Sequence, residues 1–250
     1  MSEQTTTKNI QQAYDEQYNS GEGEWRMIGA IKKAENIFDI TKNLGLFEKV
    51  VEVGAGEGSL LKILAQNPQF AKEVYALEIS NSGIAAIKEK NIENLKEVLK
   101  FDGYHTPYPD KYFDLAVVAH VLEHVEHERL FLREVARISK KQVIEVPRDH
   151  AFGVDKKVKH FLSYGHLNLY TPSSLKFLLQ TEGFNILENH NKIYNIETFQ
   201  FGKTGFKRLK ATLVFYAKTL FSSTPFDKFN HLFVNTITVL TEAGKPMNIF

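Results

Sequence analysis

Short apolar runs alternate with amphipathic segments through the middle of this chain. The apolar runs are typical of strands covered on both faces, and the segments between them repeat apolar residues at helical intervals. The predicted strands are Val50–Val53, Glu73–Ile79, Leu95–Phe101, Phe113–Ala119 and Gln142–Val146. The predicted helices are Ser59–Gln66, Ser82–Lys90, Glu128–Ser139 and Ser173–Glu182. Such repeated alternation predicts an α/β fold, with a mainly parallel sheet and helices on both of its faces.

The N-terminal part of the chain lacks strand patterns. Asn9–Tyr18 has a weak helical spacing of apolar residues, and Trp25–Leu44 has a stronger one. Gly45 then provides a plausible helix end. We therefore expect residues 1–45 to form a helical lid that precedes the main domain.

The C-terminal part changes its pattern after the last predicted helix. Two further strands are predicted at Asn185–Ile196 and Leu232–Leu240. Between them, Lys203–Phe221 mixes basic and aromatic residues in the manner of an amphipathic helix. We expect one domain over residues 46–250 with a helical insertion near 200–223. The insertion suits a substrate-side cap, with a membrane-surface contact or a homodimer contact as alternatives.

Composition excludes several classes of protein. The 250 residues include 31 basic and 30 acidic side chains, so no large basic face for nucleic acid is expected. There is no cysteine, which excludes disulfides and thiolate metal sites. The first residues are polar, and no apolar run approaches the ~20 residues of a membrane span. We expect a cytoplasmic protein without a transmembrane segment.

The strongest chemical signal is the glycine turn that follows the first predicted strand. Gly54, Gly56 and Gly58 are spaced two apart, and a helical pattern begins directly after them. Glycines allow a sharp turn and close approach of a ligand, and the helix start presents free N–H groups. The turn therefore predicts a nucleotide-type site at the carboxyl edge of the sheet. Its G-x-G-x-G spacing differs from the dinucleotide pattern G-x-G-x-x-G.

Several segments resemble one family. With Glu52 two residues before the first glycine, the turn resembles motif I of the class I S-adenosylmethionine (SAM) methyltransferases. His120–Val125, read as HVLEHV, resembles the corresponding segment of the type 11/12 small-molecule methyltransferases. The resemblance covers about residues 14–239 and is specific over 50–147. It implies a Rossmann-like sheet of seven strands with an antiparallel last strand. It also implies SAM as cofactor and S-adenosylhomocysteine as product.

The resemblance also implies a set of cofactor contacts. Glu78 would hold the ribose hydroxyls, since a carboxylate accepts two hydrogen bonds; the alternative is a solvated strand-end residue. Asp102 would meet the adenine, although Asp-Gly is also a strong turn signal. The expected cofactor residues are Tyr14, Arg26, Glu52, Gly54, Ala55, Gly56, Gly58, Glu78, Ile79, Phe101, Asp102, Gly103 and Ala119.

Two histidines are candidate catalytic residues. His120 follows the fourth strand and would face the transferring methyl, where imidazole can accept a hydroxyl proton near neutral pH. The alternative is that His120 only orients its loop. His166 lies in a segment that resembles the family's substrate side. The candidate substrate-binding residues are Tyr18, Glu123, His124, Arg148 and His150, with Arg148 as an anion clamp.

A metal site is the alternative reading of one cluster. His120, Glu123 and His124 have the spacing that would place them on one face of a helix, where they could hold a divalent ion. Some methyltransferases use a related E-x-x-E-H pattern, in which a glutamate stands at the position of His120. Many similar segments carry no metal, so we expect none here.

Together these patterns predict a SAM-dependent methyltransferase. The expected acceptor is a small molecule, methylated at a hydroxyl oxygen of a sugar or a phosphorylated metabolite. The alternatives are an enzyme acting on RNA or protein, and a non-catalytic SAM-binding subunit of a partner.

Overall fold

The computed structural model describes residues 6–17, 23–150, 154–223 and 233–245. The strands are β1 (Phe47–Val53), β2 (Ala71–Glu78), β3 (Leu95–Lys100), β4 (Phe113–Ala119), β5 (Ser139–Pro147), β6 (Phe184–Lys192) and β7 (Thr236–Ala243). The helices are α1 (Thr6–Gln17), α2 (Gly23–Thr41), α3 (Ser59–Ala65), α4 (Asn81–Glu89), α5 (Glu128–Ile138), α6 (Val158–Tyr164), α7 (Pro172–Thr181), α8 (Ile196–Gln200) and α9 (Gly205–Ser223). No helix within these ranges is both long and apolar enough to cross a membrane.

The strands form one seven-stranded sheet in the order β3-β2-β1-β4-β5-β7-β6. Strands β1 to β5 pair in parallel, and β7 runs antiparallel to both β5 and β6. This arrangement confirms the predicted fold class, including the antiparallel last strand. The strand order reverses between β1 and β4, and in open α/β sheets ligands bind at the carboxyl ends of such strands.

The core lies on both faces of the sheet because successive strand residues point to opposite sides. Val51 and Val118 belong to one buried cluster, and their neighbours Val50 and Val117 belong to the other. All four side chains are fully buried. Continuous apolar runs therefore predicted the central strands correctly.

The C-terminal predictions need two corrections. β6 ends at Lys192 because Asn195 caps α8, its side chain accepting a hydrogen bond from Thr198 N at 3.2 Å. The last strand is Thr236–Ala243 rather than Leu232–Leu240, and residue 232 itself lies outside the described ranges. The basic segment between the two strands forms α9, a helix as predicted.

Candidate active site

The glycine turn after β1 has no room for side chains. Gly54 has φ +76°, and a Cβ there would lie 2.6 Å from Val121 Cγ2. Gly58 has φ +79° and caps α3, and its Cβ would lie 2.8 Å from Ile87 Cγ1. Substitution at either position would therefore be strained by backbone conformation and by contact.

A cavity of about 1010 Å³ opens at the carboxyl ends of β1 and β4. Its volume is at the upper end of the range for small-molecule sites. One side is formed by the glycine turn and by α1 and α2, and the other by the segment after β4 and the end of α6. The predicted residues in its wall are Arg26, Glu52, Gly54, Ala55, Gly56, Ala119, His120, Glu123, His124 and His166.

The remaining predicted residues fall into two groups. Tyr14 lies on α1, and Tyr18 is outside the described ranges. The described residues that do not line the cavity are Gly58, Glu78, Ile79, Phe101, Asp102, Gly103, Arg148 and His150. The roles predicted for these residues remain predictions.

Glu78 holds the glycine turn in place through hydrogen bonds of its carboxylate. One carboxylate oxygen accepts a hydrogen bond from Gly56 N at 2.7 Å, and the other accepts from Ser80 N at 2.9 Å and Ser80 Oγ at 2.8 Å. The side chain is buried, and burial raises the pKa of Glu78 despite these bonds. Both carboxylate oxygens are thus engaged by the protein, which fixes the end of β2 to the turn.

Asp102 forms a local turn. Its carboxylate accepts hydrogen bonds from Tyr104 N and His105 N, both at 2.7 Å, and its other oxygen lies 2.9 Å from His105 Nδ1. The turn interpretation of Asp-Gly therefore describes the observed geometry.

Glu52 is a buried acid inside the cavity wall. Its side chain is 3% exposed, and its Oε2 has no hydrogen-bond partner among the described residues. Burial raises the pKa of Glu52 to about 8, although Lys33 opposes the effect. A cationic group of a ligand would stabilise the ionised carboxylate here.

His120 lies between two buried carboxylates at the end of β4. Its Nε2 is 3.4 Å from Glu145 Oε1, and its Nδ1 is 3.7 Å from Glu123 Oε1. Its backbone N donates to Glu145 O at 2.8 Å, and its φ is +59°, in the left-handed region. Residues other than glycine adopt this conformation infrequently, so the backbone at His120 is strained.

Glu145 is held ionised near the carboxyl end of β5. Its Oε2 accepts hydrogen bonds from Asn36 Nδ2 at 2.8 Å and Thr238 Oγ1 at 2.7 Å. Burial raises its pKa, but the interactions with His120, Thr238 and Asn36 outweigh burial, so the pKa is lowered. A carboxylate beside imidazole orients the ring and stabilises it once protonated. Sequence reasoning missed Glu145, although a charged residue inside an apolar strand was the available signal.

Glu123, His124 and His166 form a second cluster beside His120. His124 Nδ1 lies 3.0 Å from Gly165 O, and His166 Nδ1 lies 2.5 Å from Asp149 Oδ2. The two rings meet edge to face with centroids 4.8 Å apart. Burial lowers the pKa of His124, which favours its neutral form. Asp149 was not predicted, because no local pattern connects it to His166.

Arg148 and His150 lie away from the cavity wall. Burial lowers the pKa of Lys218 in α9, and the positive charges of Arg148 and Lys157 lower it further. Arg148 therefore lies close to Lys218. His150 is exposed. The structure therefore does not bring the predicted anion clamp to the cavity.

Helix α1 crosses the side of the cavity that the glycine turn forms. Asp15 Oδ1 accepts hydrogen bonds from Ser82 N at 3.1 Å and Ser82 Oγ at 3.3 Å, which joins α1 to the start of α4. Ala13 and Glu16 of the same helix line the cavity. This position is consistent with a lid, a role that remains a proposal.

The sheet and the glycine turn together point to one class of fold. A Rossmann-like sheet of this strand order, with an antiparallel last strand, is the class I methyltransferase fold. Residues 51–144 match a family model described as a methyltransferase domain. Residues 51–144 therefore resemble a methyltransferase domain, and the sheet that contains them has the class I methyltransferase fold.

The curated relatives cover part of the chain. A ubiquinone/menaquinone biosynthesis C-methyltransferase, UbiE, from Cupriavidus pinatubonensis is 28% identical over 117 residues, which are 46% of this chain and 48% of that protein. The Burkholderia multivorans UbiE is 30% identical over 117 residues, with the same shares. The chain thus spans about half the length of the curated relatives it matches.

Solved structures agree over a larger share of the fold. The N-methyltransferase NodS from Bradyrhizobium japonicum, solved with S-adenosylhomocysteine, has a TM-score of 0.60 at 15% identity and covers 94% of this chain and 98% of its own. A Haloferax volcanii complex of a methyltransferase activator and a putative methyltransferase gives a TM-score of 0.65 at 14% identity, covering 92% and 97%. At these identities the likeness establishes the fold alone.

Proposed function

We propose that this protein is a SAM-dependent methyltransferase that methylates a hydroxyl oxygen of a small molecule. The observation that carries the proposal is the pair formed by His120 and Glu145 in the cavity wall, beside the glycine turn. The sugar or phosphorylated acceptor expected from the sequence would suit a loop with Arg148, His150 and His166. Because only His166 of these three lines the cavity, we propose hydroxyl-bearing small molecules without choosing a sugar or a phosphorylated compound.

The residues of the turn suit the cofactor. SAM supplies a methyl group that its sulfonium already activates, so the protein mainly has to align donor and acceptor. Gly54 lets a ligand approach the backbone, and the unpartnered Oε2 of Glu52 would accept a hydrogen bond from an ammonium group. Arg26, also in the wall, is the candidate partner for a carboxylate.

The His120 ring would remove the acceptor proton. Transfer of a methyl group to a hydroxyl oxygen leaves one proton to be taken up, and a positioned imidazole is the usual acceptor near neutral pH. Glu145, buried and ionised, would hold the ring in place and stabilise its protonated form.

Labelled SAM and a panel of phenols, sugars and other hydroxyl compounds provide the test. We expect transfer to at least one acceptor, and His120→Ala to lower kcat by roughly 10²–10⁴-fold while SAM affinity changes little. His105→Ala is the matched control, since that ring is 84% exposed and bound to Asp102. Full activity of His120→Ala would remove His120 as the base. SAM binding without transfer to any compound would favour a non-catalytic subunit.

Methylation at carbon is the second candidate. It is favoured by the names of the curated relatives, which are C-methyltransferases. The same histidine could remove a proton from an activated ring carbon. Carbon-13 NMR of a product made with labelled methyl separates the two outcomes, because methyl groups on oxygen and on carbon have distinct chemical shifts.

A further inference from the structure

Three side chains from two segments of the chain place metal-ligand atoms together in the cavity wall. Glu123 and His124 follow β4, and His166 follows α6. One ligand atom from each lies within 4.8 Å of the others. We propose that Glu123, His124 and His166 bind a divalent first-row transition-metal ion.

The carboxylate of Glu123 gives the strongest reason. Its side chain is 1% exposed, and neither oxygen has a hydrogen-bond partner among the described residues. The nearest cationic candidates, His120 Nδ1 at 3.7 Å and His124 Nε2 at 3.8 Å, lie beyond hydrogen-bonding distance. Burial of an unsatisfied carboxylate is costly, and a bound cation would remove that cost.

Both histidines are oriented in the manner of metal ligands. Ligating imidazoles usually bond through their second nitrogen to a carbonyl or carboxylate, which fixes the ring. His124 Nδ1 contacts Gly165 O, and His166 Nδ1 contacts the Asp149 carboxylate. In each ring Nε2 is the nitrogen that would coordinate a metal, and that of His124 lies 3.8 Å from Glu123 Oε1.

The ligand set differs from the one that sequence spacing suggested. Leu122–His124 is a 3-10 turn rather than an α-helix, so the helical spacing of His120, Glu123 and His124 does not apply. The Nε2 of His120 instead lies toward Glu145. His166, distant in sequence, supplies the third ligand.

The donor set selects the kind of metal. Two imidazole nitrogens and one carboxylate suit Zn²⁺, Fe²⁺ or Co²⁺, whereas Mg²⁺ and Ca²⁺ prefer oxygen ligands. Ligand atoms about 2.0–2.2 Å from an ion would lie roughly 3.5 Å apart, so modest side-chain rotation would close the site. Three protein ligands leave open positions, and all three residues line the cavity. An acceptor oxygen would occupy one open coordination position of the ion, and this last step rests on the proposed function.

Titration of the metal-free full chain, made without a histidine tag, with Co²⁺ tests the proposal. We expect one Co²⁺ per chain by calorimetry, with visible absorption bands of a low-coordinate site. Glu123→Gln and His166→Ala should each weaken Co²⁺ binding at least tenfold, and Asp149→Asn by roughly 10–100-fold. His105→Ala is the control and should bind as the unmodified protein does.

Two results would overturn the proposal. One is the absence of a visible band or binding heat. The other is an affinity for Co²⁺ that His166→Ala and Glu123→Gln leave unchanged. Circular dichroism checks folding, and His166→Ala carries the test if Glu123→Gln does not fold. SAM affinity, measured on the same metal-free samples, reports on the proposed function separately.

Discussion

At the residue scale, charged side chains inside the sheet carry most of the site's chemistry. Glu52 and Glu145 lie in β1 and β5, where their neighbours are fully buried aliphatic residues. Buried carboxylates are retained only where partners compensate for lost hydration. Glu145 Oε2 accepts hydrogen bonds from Asn36 and Thr238, whereas Glu145 Oε1 and Glu52 Oε2 have no hydrogen-bond partner among the described residues. Glu145 Oε1 lies 3.4 Å from His120 Nε2, and Glu52 Oε2 is left for a ligand.

Glu145→Gln should reduce turnover more than cofactor binding. The amide keeps the shape but loses the negative charge beside His120, so we expect kcat to fall roughly 10²-fold.

Steady-state kinetics, with calorimetry for SAM, makes this measurement. Glu188→Gln is the matched control, because Glu188 contacts a histidine, His190, at 2.7 Å outside the cavity wall. An equal fall of kcat in both variants would count against the role of Glu145.

At the scale of elements, α1 connects the cavity wall beside the glycine turn to helix α4. Its Asp15 accepts hydrogen bonds from Ser82, the second residue of α4. A negative charge there also suits the N-terminal end of a helix. The contact is therefore both a hydrogen bond and a favourable charge–dipole interaction.

Asp15→Ala should weaken SAM binding without unfolding the domain. Loss of a partly buried hydrogen bond of about 1 kcal/mol corresponds to a roughly fivefold rise in Kd, if α1 closes over the cofactor. Calorimetry with SAM measures the change. Gln12→Ala, an exposed position on the same helix, should leave Kd unaltered. Equal affinities in the two variants would argue that α1 is not a lid.

The strands were predictable from the sequence where both faces of the sheet are covered. Apolar runs located β1, β2, β4 and β5, whereas β3 was located although none of its residues is buried. In β6 exposed residues alternate with buried or half-buried ones, and its end was predicted wrongly. Helix α6 has one buried residue, Phe161, and therefore lacks the periodicity that would reveal it. Within the site, contiguous motifs revealed Gly54 and His120. The pairing of Asn36 with Glu145 spans 109 positions, and no local pattern carries that information.

At the scale of the whole molecule, Glu52 should make stability depend on pH. Its pKa is raised by burial from 4.5 to about 8 in the folded protein. The resulting stabilisation is fully present below about pH 4.5 and is lost as pH rises through 8. The protonated folded form is thus favoured at low pH.

Comparison with Glu52→Gln isolates this effect, because the amide does not titrate. Relative to the variant, the free energy of unfolding of the unmodified protein should fall by several kcal/mol from pH 4.5 to 8, at about 1.4 kcal/mol per pKa unit. Urea denaturation across that range provides the measurement. Glu48→Gln, at a 65% exposed position, is the control. A difference that stays constant with pH would contradict the prediction.

The left-handed backbone of His120 sets two selective pressures against each other. A histidine held there costs about 1 kcal/mol that a glycine would not. Selection for thermal survival alone would therefore accept glycine at this position and discard the ring that faces the cavity. Selection for turnover would keep the strained histidine, provided that its ring serves as the proposed base.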